Sequence, residues 1–338
     1  MVSIQSAYGG ISINGNSAPS AWIPKGQTAT ITAQSQVGTT FGHAAFFKGF
    51  SGDVISSERE VKLIVDRPKG VKVSWVLWKL DSISEVWTKN GEEARVKIKV
   101  SWLDDGSAAN AISVKCLEGE GTNSGDDGIA EFGFISSPDS TTTKNFIAVS
   151  NGEQASENTV SVRLVFTNIV LSVSVENGHR VGDEYWFDSG SEARLSFSAK
   201  WTHDGTSASG LKLTNVETGE NLSEHLSIRE NHKKVSMKFS TEDKGIKSNL
   251  VSVELIFTSI RLSARRQGSL VNLKASWSHD GSSIAELQVM CFETRQTEAT
   301  GPDGCTSFEI VGLGFEVTFV PISSVNGITV YQEAKVGL

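Results

Sequence analysis

What this sequence lacks most completely is helical periodicity: no segment of any length spaces its apolar residues to line one face of a helix. It also lacks any apolar run near the roughly 20 residues a helix needs to cross a bilayer, so no membrane-spanning helix is expected. Basic clusters are missing: 31 Lys and Arg stand against 39 Asp and Glu, for a net charge of -8. Lys233-Lys234 and Arg265-Arg266 are isolated pairs that read as solvated faces, which argues against a nucleic-acid surface. There are three cysteines, which cannot all pair within one chain and so do not assign a redox compartment. Residues 1–20 carry neither the charged nor the apolar region of a signal peptide. A secreted chain without one implies a processed segment, and a cytoplasmic protein shows the same absence. No nucleophile elbow, Cys-His dyad, phosphate-cradling glycine loop or dinucleotide fingerprint appears, and Gly312-Leu313-Gly314 lacks the strand-loop-helix context of a nucleotide site. The chain is therefore not expected to be an enzyme, and no cofactor is called for.

What is present is self-similarity. Val100-Ser101-Trp102-Leu103-Asp104-Asp105-Gly106-Ser107 recurs as Ala199-Lys200-Trp201-Thr202-His203-Asp204-Gly205-Thr206 and as Ala275-Ser276-Trp277-Ser278-His279-Asp280-Gly281-Ser282. A second landmark, Leu164-Val165-Phe166-Thr167-Asn168-Ile169, returns 91 residues later as Leu255-Ile256-Phe257-Thr258-Ser259-Ile260, with a fainter copy around Val76 to Ile83. That spacing is close to the length of an Ig-like unit, about 100 residues. With 338 residues and 38% hydrophobic content, the chain has material for several packed cores.

The alternation Val96, Ile98, Val100, Trp102 against Lys97, Lys99, Ser101 predicts a half-buried strand. Asp105-Gly106, Asp204-Gly205 and Asp280-Gly281 then predict turns, because Gly supplies the positive φ. Val160, Val162, Leu164 and Phe166 close one unit, and Val251, Val253, Leu255 and Phe257 the next. The expected fold class is all-β: tandem Ig-like β-sandwiches in an elongated array behind a small N-terminal β module. The boundaries fall at 1–78, 79–168, 169–259 and 260–338. Linkers between units are nearly absent, which implies stiffness.

Two resemblances add to this reading. Ala21-Trp22-Ile23-Pro24-Lys25-Gly26, Phe47-Lys48-Gly49-Phe50-Ser51-Gly52-Asp53 and Val61 to Trp75 resemble the bacterial-repeat (internalin B-repeat-like) module of surface proteins, with Phe50 where that family usually has Trp. Residues 83–168 resemble the Ig-like domains of bacterial and archaeal surface proteins of the invasin and adhesin type, through Trp102 to Gly106 and Asp127-Gly128-Ile129-Ala130-Glu131-Phe132. Asp303-Gly304-Cys305 repeats the latter block. The middle unit is expected to keep the strand after it, as His232 to Phe239, while losing the Asp-Gly. The resemblance implies an extracellular or cell-surface structural protein (stalk, filament or surface-layer segment, with a lean toward archaea), or else an adhesin or accessory region that binds glycan or protein.

Candidate sites are few. Trp102, Trp201 and Trp277 read as buried sandwich residues, and Tyr185-Trp186-Phe187 as an exposed contact patch or a buried wedge between domains. His203-Asp204 and His279-Asp280 resemble acid-base pairs, but their recurrence in separate units favours a turn. His43, His179, His225 and His232 show no zinc-ligand spacing. Asp126 and Asp127 are weak calcium candidates, two carboxylates being too few to specify a site. Cys291 and Cys305 flank a polar segment and would form a disulfide if that segment is a hairpin loop; Cys116 reads as core. Asn221-Leu222-Ser223 fits the glycosylation sequon. Partners are expected to be further copies or neighbouring surface proteins, joined by strand complementation from an extended terminus, with glycans as the alternative. The short last unit would be the one with a strand to borrow.

Overall fold

The structure, a computed structural model, describes residues 1–208, 212–311 and 316–337, so Gly312-Leu313-Gly314 lies outside the described residues. Among the described residues the regular elements are all β, and no helix is long and apolar enough to cross a membrane. The chain divides into two compact units, Met1–Thr167 and Asn168–Leu338. Each principal sheet draws its strands from one of four stretches, 2–76, 78–167, 169–258 or 260–336, so each unit holds two sheet pairs.

In the first unit, Thr28–Ala33 shows why these residues form strands: Ala29, Ile31 and Ala33 are buried, while the threonines between them point outward. It pairs with Ile11–Ile13 and Glu60–Ile64. The facing sheet runs Ser20–Ala21, Val2–Gln5, Lys69–Val76, Ala44–Gly52, Gln36–Gly38. Val2–Gln5 has a partner on each side, antiparallel Ser20–Ala21 and parallel Lys69–Val76, and Val2 and Ile4 are buried. The N-terminal strand thus lies inside its own sheet in the single chain.

The second sheet pair sets Ala94–Trp102, between Trp78–Asp81 and Ile129–Phe134, against a sheet built on Ser140–Ser150 and Val160–Thr167. Val96, Ile98 and Val100 are fully buried, whereas Lys97 and Lys99 face solvent. Glu85–Lys89 lies parallel to Val160–Thr167 at the edge of that sheet.

The second unit repeats the plan. Glu192–Trp201 pairs with Ile169–Glu176 and His225–Arg229, and Glu184–Asp188 lies parallel to the closing strand Val251–Thr258. The strand that follows the lost Asp-Gly is therefore His225–Arg229. Lys233–Ser240, by contrast, pairs with Val251–Thr258 and occupies the position of Ser140–Ser150. The last stretch is shorter because Ile260–Gln267 turns through Gly268 (φ 67°) and Ser269 straight into Leu270–Trp277, leaving out the parallel edge strand. Its second sheet consequently ends at Ala334–Val336 among the described residues.

Candidate functional site

The repeated Trp loop is the place where sequence similarity becomes geometry. In each copy the Trp N–H donates to the carbonyl five residues on (Trp102 to Ser107, 2.9 Å; Trp201 to Thr206, 2.9 Å; Trp277 to Ser282, 2.8 Å), while the Gly N–H donates back to the Trp carbonyl at 3.0, 3.0 and 2.9 Å. Gly106, Gly205 and Gly281 have φ of 74°, 71° and 77°, the left-handed region that disfavours a side chain. The Asp carboxylate accepts both the N–H and the hydroxyl of the following Ser or Thr, at 2.9 and 2.7 Å for Asp105, 2.9 and 2.7 Å for Asp204, and 2.9 and 2.8 Å for Asp280. Such bonds favour the charged form. The Ser107 N–H and hydroxyl lower the Asp105 pKa; at Asp280 burial pulls the other way, but the Ser282 bonds together with the neighbouring His279 leave the pKa lowered. One oxygen of the recurrent Asp is thus committed to its own loop.

The residue after the Trp reaches the linker. Single residues, Leu77, Asn168 and Ser259, separate the closing strand of one stretch from the opening strand of the next. Leu103 N–H donates to the Leu77 carbonyl at 2.9 Å, Thr202 N–H to that of Asn168 at 3.0 Å, and Ser278 N–H to that of Ser259 at 3.0 Å. The Thr202 and Ser278 hydroxyls accept the N–H of Asn168 and Ser259 at 2.9 and 2.8 Å, and Leu77, whose partner lacks a hydroxyl, donates to Ala155 O at 2.8 Å instead. Each linker residue therefore has both backbone groups bonded. One strand onward, the side-chain amides of Asn158 and Asn249 grip both backbone groups of Leu80 (2.9 and 2.8 Å) and Leu171 (2.8 and 3.2 Å).

Trp102 and Trp277 are buried at the ends of their sandwiches, against the stretch that precedes, rather than in mid-core. Trp102 stacks on His43 (centroids 4.1 Å apart, 10° between planes) and lies 5.8 Å from Trp78. Trp277 meets Trp186 at 4.9 Å, and Trp186 with Ile256 joins the core cluster of the last sandwich. Two rings of the Tyr185-Trp186-Phe187 run are accordingly buried, Phe187 against Phe257 at 5.2 Å. The exposed-patch reading is corrected to a wedge between sandwiches. Asp188 adds to this junction by accepting the N–H and hydroxyl of Thr329 (2.8 and 2.9 Å) and the Val330 N–H (3.0 Å).

The two His-Asp pairs stay in their own loops: His203 Nε2 lies 3.4 Å from Asp204 and His279 Nε2 3.5 Å from Asp280. His279 also bonds the Thr258 hydroxyl at 3.0 Å and meets Trp186 edge-on, and burial lowers its pKa. The Asp126-Asp127 loop is a turn, with Asp127 accepting the Ile129 N–H at 3.0 Å and Asp126 the Asn110 amide at 2.5 Å. Gly128 (φ 74°) closes that turn, and Gly304 (φ 75°) does the same after Asp303. Cys291 and Cys305 are both free thiols, which corrects the proposed disulfide. The segment between them crosses from one sheet to the other, leaving Cys291 buried opposite Phe319 and Cys305 exposed opposite Lys274. Cys116 is buried and free, and Asn221 is exposed on an edge strand.

Sequence reading missed one cluster. His43 from the first sheet pair meets Asp104 and Asp105 from the second, its Nδ1 3.2 Å from Asp104 Oδ1 and 3.7 Å from Asp105 Oδ2. Ala44 N–H donates to Asp104 Oδ2 at 2.8 Å, which with His43 lowers the Asp104 pKa. The partners are 61 residues apart and share no motif, so nothing in the sequence pattern flags them.

No protein-family model matches this chain, and neither does any curated protein. Among solved structures it is similar to native alpha-2-macroglobulin from Escherichia coli spanning domains MG0-NIE-MG1, at 9% identity over 78% of this chain and 96% of that one, TM-score 0.19. It is also similar to a protein of Corynebacterium diphtheriae described as membrane anchored, at 9% identity over 69% of each chain, TM-score 0.23. At such TM-scores neither likeness carries an argument about fold or function.

Proposed function

We propose that the chain is a non-catalytic structural protein of the cell surface or extracellular space, a stalk, filament or surface-layer segment. On this reading it is a bacterial-repeat-like module (1–78) followed by three Ig-like sandwiches (79–168, 169–259, 260–338). The observation that carries the reading is the use made of the repeated polar residues. Asp105, Asp204 and Asp280 are bonded within their loops, and Leu103, Thr202 and Ser278 bond the one-residue linkers, so the repeat holds successive strands in place instead of converging on a substrate. Within the units, at Leu77 and Ser259, a one-residue linker with both backbone groups bonded and an indole packed beside it has little freedom to bend, which suits a spacer. Immunogold electron microscopy of intact source cells tests this: label on surface fibres or a lattice supports it, and label confined to the cell interior overturns it.

A second reading, an adhesin or glycan-binding accessory region, is favoured by Trp22, 85% exposed on the first sheet pair. An indole with a free face is the ring that stacks on sugars. A glycan array comparing the parent chain with Trp22→Ala discriminates, since this reading requires a signal that the substitution removes.

A further inference from the structure

We propose that His43, Asp104 and Asp105 bind a divalent ion of the zinc, cobalt or nickel class, which straps the sheet pair of residues 2–76 to that of residues 78–167. Among the described residues this is the one place where three such groups bring ligand atoms within 4.8 Å of one another. Metal bonds of about 2.0–2.1 Å to imidazole nitrogen and carboxylate oxygen give donor-donor edges of about 3.3–3.4 Å in a tetrahedron. The separations from His43 Nδ1, 3.2 Å to Asp104 Oδ1 and 3.7 Å to Asp105 Oδ2, need shifts of only a few tenths of an ångström. The ion would replace the proton on Nδ1, leaving the ring neutral with its proton on Nε2.

Each ligand is already oriented by a second contact, as metal ligands are. The His43 ring lies flat on Trp102 at 4.1 Å, Asp104 Oδ2 is fixed by the Ala44 N–H at 2.8 Å, and Asp105 Oδ1 is occupied by Ser107, which leaves Oδ2 facing the imidazole. A groove of about 630 Å³, lined by Tyr8, Gln34, Gln36 and Thr39, opens onto His43 and Asp104 and admits the water that completes the coordination. One nitrogen and two carboxylates suit a borderline ion; calcium wants six to eight oxygens. The later copies differ here, placing His203 and His279 where Asp104 stands.

The test is isothermal titration of the whole chain with zinc chloride, alongside cobalt absorption, with calcium and magnesium as comparisons. Asp105→Asn is the informative variant, because Asn keeps an oxygen for Ser107 and the metal-free chain should melt as the parent does. Zinc should bind one to one, at least about tenfold more weakly in both Asp105→Asn and His43→Gln, and unchanged in His279→Gln. Failure of zinc to bind up to millimolar concentration, undiminished binding in either of the first two variants, or calcium bound as tightly as zinc would overturn the proposal.

Discussion

Replacing Trp186 by Ala should destabilise a sandwich to which Trp186 does not belong. The residue sits on Glu184–Asp188 in the 169–258 stretch, yet its ring is buried 4.9 Å from Trp277 and forms part of the core of the 260–336 stretch. Truncating a buried Trp costs about 3–5 kcal/mol, of which about 0.5–1.5 kcal/mol is coupling to the facing ring. Hydrogen exchange followed by mass spectrometry reads both sandwiches in one experiment. A 3 kcal/mol loss felt across the junction corresponds to roughly hundredfold faster exchange in peptides covering Leu270–Trp277 as well as in those covering Val251–Thr258. Trp186→Phe separates packing from polarity. The Trp186 Nε1 is buried without a hydrogen-bond partner, so Phe removes a desolvation penalty of about 1–3 kcal/mol while losing some apolar area, and should fall within about 1 kcal/mol of the parent. If Trp186→Ala leaves Leu270–Trp277 as protected as before, the wedge does not couple the two sandwiches and the reasoning fails.

Three further outcomes follow from the same geometry. Gly128→Ala and Gly304→Ala place a Cβ 2.6 and 2.5 Å from the carbonyls of Val100 and Ala275 at positive φ, and should cost about 3 kcal/mol or more in thermal or urea unfolding; Gly106→Ala, with the same φ but open space, should cost only about 1–2 kcal/mol. Asn158→Ala strips both partners from the Leu80 backbone and should destabilise the first unit by about 2–4 kcal/mol, and Asn249→Ala should act alike at Leu171 in the second. His279 is held neutral by burial, against the pull of Asp280 and Glu184 and with the help of Lys234. Its folded pKa lies below the usual 6.5, so the unfolded chain binds the proton first and stability falls as pH drops below about 6.5. His279→Gln should flatten that part of the stability profile measured from pH 7 to pH 5.

The sheets were legible because alternation and burial coincide: Val96, Ile98 and Val100 are read as inward from the sequence and are fully buried. The 91-residue spacing was legible for the same reason, as Leu77, Asn168 and Ser259 fall at equal intervals between strands. What could not be read was partner choice. Lys233–Ser240 alternates as well as His225–Arg229 does, so pattern alone could not tell which follows Glu192–Trp201 in its sheet. The role of the repeated Trp was half visible, because a buried indole at a sandwich end has the same sequence pattern as one in mid-core. Cys291 and Cys305 misled because a polar segment between two strands serves a crossover as well as a hairpin. The His43 cluster depends on the approach of two loops from different sheet pairs, which no local pattern encodes.

The repeat is held here to clasp linkers, and residue-resolved amide exchange in the intact chain tests that most directly. The amides of Leu103, Ser259 and Ser278, bonded to Leu77 O, Ser278 Oγ and Ser259 O, should exchange as slowly as ladder amides of Leu270–Trp277. Exchange at the rate of exposed loop amides at these three positions would show that the linkers are free and that the recurring Trp loop has another purpose.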